Sequence, residues 1–269
     1  MNLVGTNFSM RAQLFIATFL TKVCAAAEPE VTREMSTDRP DTTESAYTVP
    51  AGLFQVEMSV LDFSRESSSG VKEETWILGQ VNFKVGLDQQ TDLQMIFDTY
   101  TSARTRSGLT VEREDGFGDV ALRLKRNIWG NDGGKTALAI MPYVSIPTGT
   151  ALSRGVWEGG LILPLAVEIS PRVGLGLMAE ADIVQDDARG SYDIEWLTSA
   201  TLGFGLTDRL GAFVEVVGIA SDQRDFQALF DAGVTFALTD TFILDAGVRL
   251  GMNRHAPDLG LFTGLSFRF

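Results

Sequence analysis

From Ala51 to the last residue, apolar and polar positions alternate one by one. In "FILDAGVRLGM", Phe242, Leu244, Ala246, Val248, Leu250 and Met252 share one parity, and Ile243, Asp245, Gly247, Arg249 and Gly251 share the other. "VGLGLMAEADI" sets Val173, Leu175, Leu177, Ala179, Ala181 and Ile183 against Gly174, Gly176, Met178, Glu180 and Asp182. "IEWLTSATLGFGL" does the same, with Ile194, Trp196, Ala200, Leu202, Phe204 and Leu206 facing away from Glu195, Ser199, Thr201 and Gly203. A period of two is the signature of a strand with two unlike faces. The pattern predicts twelve strands, at about 52–63, 75–87, 91–103, 116–128, 135–147, 156–170, 172–184, 192–206, 209–220, 226–238, 241–252 and 258–269. Pro142 and Pro147 blur the phase of the fifth.

The breaks between these segments alternate in length. "LDQQTD", "NDGGK", "SPR", "TDR" and "TDT" are short and turn-like, while "RESSSGVKEE", "ARTRSGLTVEREDG", "TGTALSRG", "QDDARGS", "SDQRD" and "NRHAPD" are mostly longer. Soluble sandwiches space their turn signals every 8–12 residues. Alternating segments of about ten residues suit strands tilted across a bilayer, with short turns at one end and long loops at the other. An even strand count puts both termini at the short-turn end. Alternation alone does not separate a soluble sheet from a barrel in lipid. Strand length, loop asymmetry and the N-terminus favour an all-β transmembrane antiparallel up-and-down barrel.

Composition changes that picture little. The chain has 269 residues, 45% of them hydrophobic and 21% charged. Arg11, the apolar stretch Ala12 to Leu20 and the small residues Ala25 and Ala27 form a candidate export signal over residues 1–27, with Met10 as a more usual start than Met1. Lys22 interrupts it, and a buried first helix is the alternative. Residues 28–50 are then a polar N-terminal segment, periplasmic or lumen-entering, and 51–269 the barrel. Cleavage after Ala27 would remove Cys24 and with it any disulfide or thiolate site. Losing Arg11 and Lys22 takes the formal charge from −13 to −15. Such an acidic chain offers no basic stripe to nucleic acid. The lipid bilayer and a small solute are the expected partners.

The end of the chain, "LGLFTGLSFRF", places Leu265, Phe267 and Phe269 on the apolar parity. It is similar to the closing signature by which bacterial outer-membrane barrels are recognised for assembly, which makes the assembly machinery a partner through Phe269. At the other end, "STDRPDTTESAYTVPAGLFQVE" carries Thr37-Asp38-Arg39-Pro40-Asp41 and then Pro50, Gly52, Gln55 and Glu57. "GFGDVALRLKRNIW" and "PYVSIPTGT" follow further on. With these motifs the chain resembles the outer-membrane transporter family assigned to the meta-pathway of phenol degradation, over nearly all of its length beyond the signal. The resemblance implies a barrel that takes up aromatic compounds.

By parity, the inward acids are Glu57, Asp92, Asp98, Asp119, Glu158, Glu168, Glu180, Asp182, Glu195, Glu215, Asp231 and Asp245. The inward bases are Lys84, Arg123, Lys125, Arg249 and Arg268. Charges at such positions either pair across the barrel and hold it shut, or line a passage that favours cations and neutral solutes over anions. Inward glycines, among them Gly174, Gly176, Gly203, Gly205, Gly233, Gly247 and Gly264, leave space for a narrow passage or ease strand curvature. Asp38, Arg39, Pro40, Asp41 and Glu44 form a candidate gate; a mature N-terminus without fixed structure is the alternative.

No catalytic, cofactor or metal site is expected. His255 is the one histidine, in a loop without a serine beside it, and pairs such as Glu180 and Asp182 read as lumen charges. "GFGDVA" and "GLGLMA" fit a dinucleotide pattern but continue into strands, where no helix N-terminus awaits a phosphate. The expected function is a small-molecule channel or transporter with an acidic lumen. The rival is a non-conducting structural or adhesion barrel with a plugged lumen, working through the loop at 104–114.

Overall fold

The computed structural model describes residues 33–186, 189–222 and 224–269. The expected signal at 1–27, the choice of start codon and residues 28–32 lie outside them. The alternating segments form β1 (Phe54–Ser68), β2 (Val71–Asp88), β3 (Thr91–Ser107), β4 (Thr110–Gly116), β5 (Val120–Trp129) and β6 (Thr136–Ile146). They continue as β7 (Glu158–Ser170), β8 (Val173–Gln185), β9 (Tyr192–Gly205), β10 (Leu210–Ser221), β11 (Gln227–Thr239), β12 (Phe242–Gly251) and β13 (Leu259–Arg268). Every pairing is antiparallel, and β1 pairs with β13 to close the ring. β3 pairs with β5 over Thr91–Phe97 and with β4 over Thr101–Ser107, so β4 and β5 share one position in the wall. The result is a closed up-and-down barrel of twelve positions.

Two expected loops are strands instead. Residues 65–74 and 104–113 extend the β1–β2 and β3–β4 hairpins, with Arg65 opposite Glu74, Ser67 opposite Lys72 and Arg104 opposite Arg113. Their turns are only Ser69-Gly70, with φ of 51° and 83°, and Gly108-Leu109, with Gly108 at 59°. Positive φ in such turns matches the twist of the flanking strands. The hairpins stand clear of the apolar band, where both faces meet water. Apolar alternation therefore gives way to polar residues on both faces, and the sequence reads as a loop.

Faces sort as a lipid solvent demands. Leu177, Trp196, Val216, Phe236, Leu250 and Leu261 lie exposed on the outside, while Gln55, Glu57, Lys84, Gln94, Lys125 and Glu215 are fully buried inside. That is a soluble protein turned inside out, with the wall backbone paired between strands where water is absent.

A line of irregularities crosses β1 to β5. It runs from a bulge at Val60 through Gly79, whose φ is +68°, and Thr99 to the break at 117–119. Gln80 bonds Asp98 on the inner face, yet Leu78 and Tyr100 just beyond are exposed outside. The faces exchange there, so a single parity for β1–β3 holds only below this line. Asp62, on the outer parity by sequence, stands opposite the buried Phe262 and turns inward.

Candidate functional site

The inside of the ring is filled by the chain's own segment 33–50. It starts at the short-turn end, where Arg33 bonds the Gln89 carbonyl and Asp132 and Arg268 holds the Arg33 carbonyl. It climbs to a tip at Pro40-Asp41 and returns to the same end, where Thr48 N donates to Asn131 Oδ1 and Val49 N to Asp92. No β-ladder holds it. Its N–H groups donate to side chains of the wall: Asp38 N and Arg39 N to Glu57 at 2.9 and 3.0 Å, Thr42 N and Thr43 N to Glu215 at 2.7 and 2.8 Å. Thr43 Oγ1 adds bonds to Glu215 at 2.5 Å and to Ser199 at 2.6 Å.

The charged side chains of the segment complete the lock. Asp38 Oδ1 and Oδ2 receive Lys125 Nζ and Lys84 Nζ, each at 2.5 Å, and Ser45 N closes back on Oδ1. Lys84 also pairs with Glu57. Arg39 meets Asp245 in a two-pronged contact, at 2.7 and 3.1 Å, and Glu44 pairs with Arg123. Charges this deep are tolerable only because each finds a partner. Pro40 and Asp41 face a cavity of about 250 Å³ on one side, lined by Asp62, Asn82, Arg249 and Phe262 among others. On the other side they face a vestibule of about 600 Å³ at the short-turn end.

Three of the glycines make room for this segment, and a Cβ at Gly86 would run into the Pro50 carbonyl at its far end. A Cβ at Gly264 would strike the Arg39 guanidinium, and one at Gly176 would come within 3.0 Å of Thr43 Cγ2. Gly233 and Gly247 instead make room for the rings of Phe213 and Phe262. Of the glycines expected to face inward, Gly174 and Gly203 look onto open space.

The remaining charges fall into separate groups. Asp98 accepts from Gln80 and Thr101. Asp231 bonds Arg249, which also lies 5.5 Å over the Phe262 ring. Asp182 accepts from the Tyr143 hydroxyl at 2.5 Å, with Glu180 half-buried two residues before it on β8. Glu195 pairs with Arg224 and Glu158 with Arg154, both towards the long-loop end. Glu168 is exposed at the end of β7, outside the filled interior, because the short turn at 171–172 lifts it to the rim. Asp119 anchors the loop at 147–157 through Thr148 N and Arg154 N. His255 accepts from Arg254 beside it, and its Nδ1 lies 3.2 Å from Asp225 in the loop between β10 and β11. "GLGLMA" lies within β8, and "GFGDVA" spans the break between β4 and β5.

Sequence reasoning missed the neutral half of the site. Gln55, Gln94 and Asn127 are buried on inward parity and could have been found by it. Met141, Ile162 and Met178 form a buried cluster packed by Tyr143 and Leu197. Their inward positions were expected to be polar, so nothing marked them.

A closed antiparallel ring with an apolar exterior and a polar, chain-filled interior defines a class: the β-barrels of the bacterial outer membrane. Within it, the chain belongs to the family described as "Putative MetA-pathway of phenol degradation", which it matches over residues 37–269. Among solved structures it is similar to an outer membrane channel from Pseudomonas putida F1, at 12% identity and a TM-score of 0.62, covering 91% of this chain and 100% of that one. The transport unit of the autotransporter AIDA-I from Escherichia coli matches at 12% identity and a TM-score of 0.50, covering 94% and 97%. No curated protein matches.

Proposed function

We propose that the protein is a gated channel for small molecules in the outer membrane, and that segment 33–50 is its gate. The observation that carries this is how the segment is held. A permanent plug would be expected to join the sheet or pack an apolar core. Beyond a small apolar contact of Ala46 and Tyr47 with Ala137 and Ala139, this one is bound through polar and charged side chains, which water and ions can replace once it moves. Acids outnumber bases among the inward positions, so the emptied lumen favours cations over small anions. Aromatic compounds are the candidate cargo, on the strength of the family's description.

The filled lumen is also what a non-conducting structural barrel would have. Planar-bilayer conductance of the refolded protein separates the two. The expected result is rare openings in the native protein and frequent cation-preferring ones in an Asp38→Asn, Glu44→Gln variant. Neutralising Glu180, Asp182 and Asp245 should then weaken that preference. A variant that is folded, inserted and silent would favour the structural reading.

A further inference from the structure

Removing segment 33–50 from the lumen does not leave a uniformly acidic hole. Among the described residues, Lys125 forms its ion pair only with Asp38, and Arg123 only with Glu44. Lys84 keeps Glu57. The two cations that lose these partners sit two residues apart on the inner face of β5, with Asp92 opposite Lys125 on β3. Arg123 Nε has no hydrogen-bond partner among the described residues even with Glu44 in place, and neither has Glu44 Oε2. The segment itself carries Arg33, Arg39, Glu34, Asp38, Asp41 and Glu44, a net charge of −2, so its departure takes away the carboxylates paired with Lys125 and Arg123.

An apolar surface adjoins the same cations. Arg123 lies 5.6 Å over the Tyr143 ring, and Tyr143 packs against the cluster of Met141, Ile162 and Met178. Glu44 bridges the two surfaces: its carboxylate pairs with Arg123 and its N–H meets Met178 Sδ at 3.3 Å. The segment thus places a carboxylate beside an apolar patch inside a closed barrel. An organic acid with an apolar body presents the same chemistry.

We propose that Lys125, Arg123 and the Tyr143–Met178 surface form a recognition site for apolar organic carboxylates, which compete with Asp38 and Glu44 and so release the segment. This rests on the gate reading and names the solute class that operates it. Binding to the released state alone shifts the equilibrium by mass action. At ten times its Kd, such a ligand raises the released population about tenfold.

The test uses the full refolded chain in detergent, with hydrogen exchange at the Thr42, Thr43 and Val49 amides as readout. Benzoate at ten times its Kd should speed that exchange about tenfold while the strand amides stay protected. Acetate, which lacks the body, and benzyl alcohol, which lacks the charge, should do little. Equal responses to benzyl alcohol and benzoate would overturn the proposal. So would a benzoate response that survives in Lys125→Met, Arg123→Gln. Since those changes also loosen the segment, a second measurement is calorimetric benzoate binding to Asp38→Asn, Glu44→Gln. With the competing carboxylates gone, the affinity should rise at least several-fold; unchanged or weaker binding refutes the site. If that variant conducts but ignores benzoate, the gate stands and this proposal fails. If it binds benzoate without ever conducting, the channel reading fails instead.

Discussion

Asp38→Asn changes one charged atom pair at the centre of the lock. Its carboxylate accepts from two buried ammonium groups, both at 2.5 Å, and from Ser45 N. A hydrogen bond to a charged group contributes about 1.5–3 kcal/mol and a neutral one about 0.5–1.5. Asn keeps the Ser45 acceptor and some contact with the lysines, so the loss is about 2–3 kcal/mol over the two ionic bonds. In the released state both lysines meet water whichever residue stands at 38, so the whole loss falls on the closed state. At 1.4 kcal/mol per factor of ten, the released population rises about 30- to 150-fold. Exchange at Thr42, Thr43 and Val49 amides, whose acceptors are Glu215 and Asp92, should accelerate by that factor while exchange in β8–β12 holds. Asp132→Asn is the internal control. Its partner Arg33 sits at the rim and Asp132 is 73% exposed, so the change should stay below about 1 kcal/mol, or roughly fivefold. Protection unchanged by Asp38→Asn in an intact barrel would show that the buried ion pairs do not hold the segment. An equal effect from Asp132→Asn would show that the rim does.

Other consequences are as direct. Gly176→Val should press on Thr201 and unseat Thr43, whose methyls lie 2.7 and 3.0 Å from the added Cβ, and Gly174→Ser should change nothing, since no atom lies within 4 Å; segment exchange separates the two. Asp119, in the break between β4 and β5, is pushed up by burial, but donors from Ser153, Thr148 and Arg154 outweigh that and hold its pKa below the ordinary 3.8. A lowered carboxylate loses its stabilising effect only as pH falls through the folded value, so proteolysis of the 147–157 loop should be slow at pH 5 and quicken only in stronger acid. Phe269 pairs through its backbone with Phe54 and stacks on Phe54 and Phe267, yet its side chain remains 62% exposed. Deleting it should lower the yield of heat-modifiable barrel in membranes without lowering the melting temperature of the protein that does assemble; a matching loss of stability would assign Phe269 to packing alone.

The barrel was legible in the sequence because lipid imposes one rule on every strand. Leu244 and Leu250 cannot exchange places with Asp245 and Arg249 without exposing charge to hydrocarbon. That rule ends where the membrane ends. Residues 65–74 and 104–113 therefore read as loops although they are strands, and the exchange of faces at Gly79 and Thr99 could not be seen from parity. The charges at Lys84, Glu57 and Glu215 were found by the same rule, but their partners were not. Pairing between Asp38 and Lys125 joins residues far apart in the chain, and nothing local in "TDRPD" says which wall its carboxylate will meet. The glycines show the same limit from the other side. Gly174 and Gly176 share a strand and a face, and only the positions of Thr201 and Thr43 make one necessary and the other free.

The wall charges take on a single physical sense once the segment is counted with them. Twelve positions enclose a space too narrow for an open porin channel and too wide for wall side chains alone to fill. The missing volume is supplied by residues 33–50, whose backbone has no strand partner and must find acceptors elsewhere. Glu57, Asp92 and Glu215 are those acceptors, and Lys84, Arg123 and Lys125 balance the acids that the segment brings. Stronger fixing was available to the chain, by adding a thirteenth strand or packing an apolar helix. Side-chain carboxylates hold the segment just as closely in the dry state but lose most of their advantage once water enters. A lock made this way is firm when shut and costs little to leave open, as the proposed gate requires.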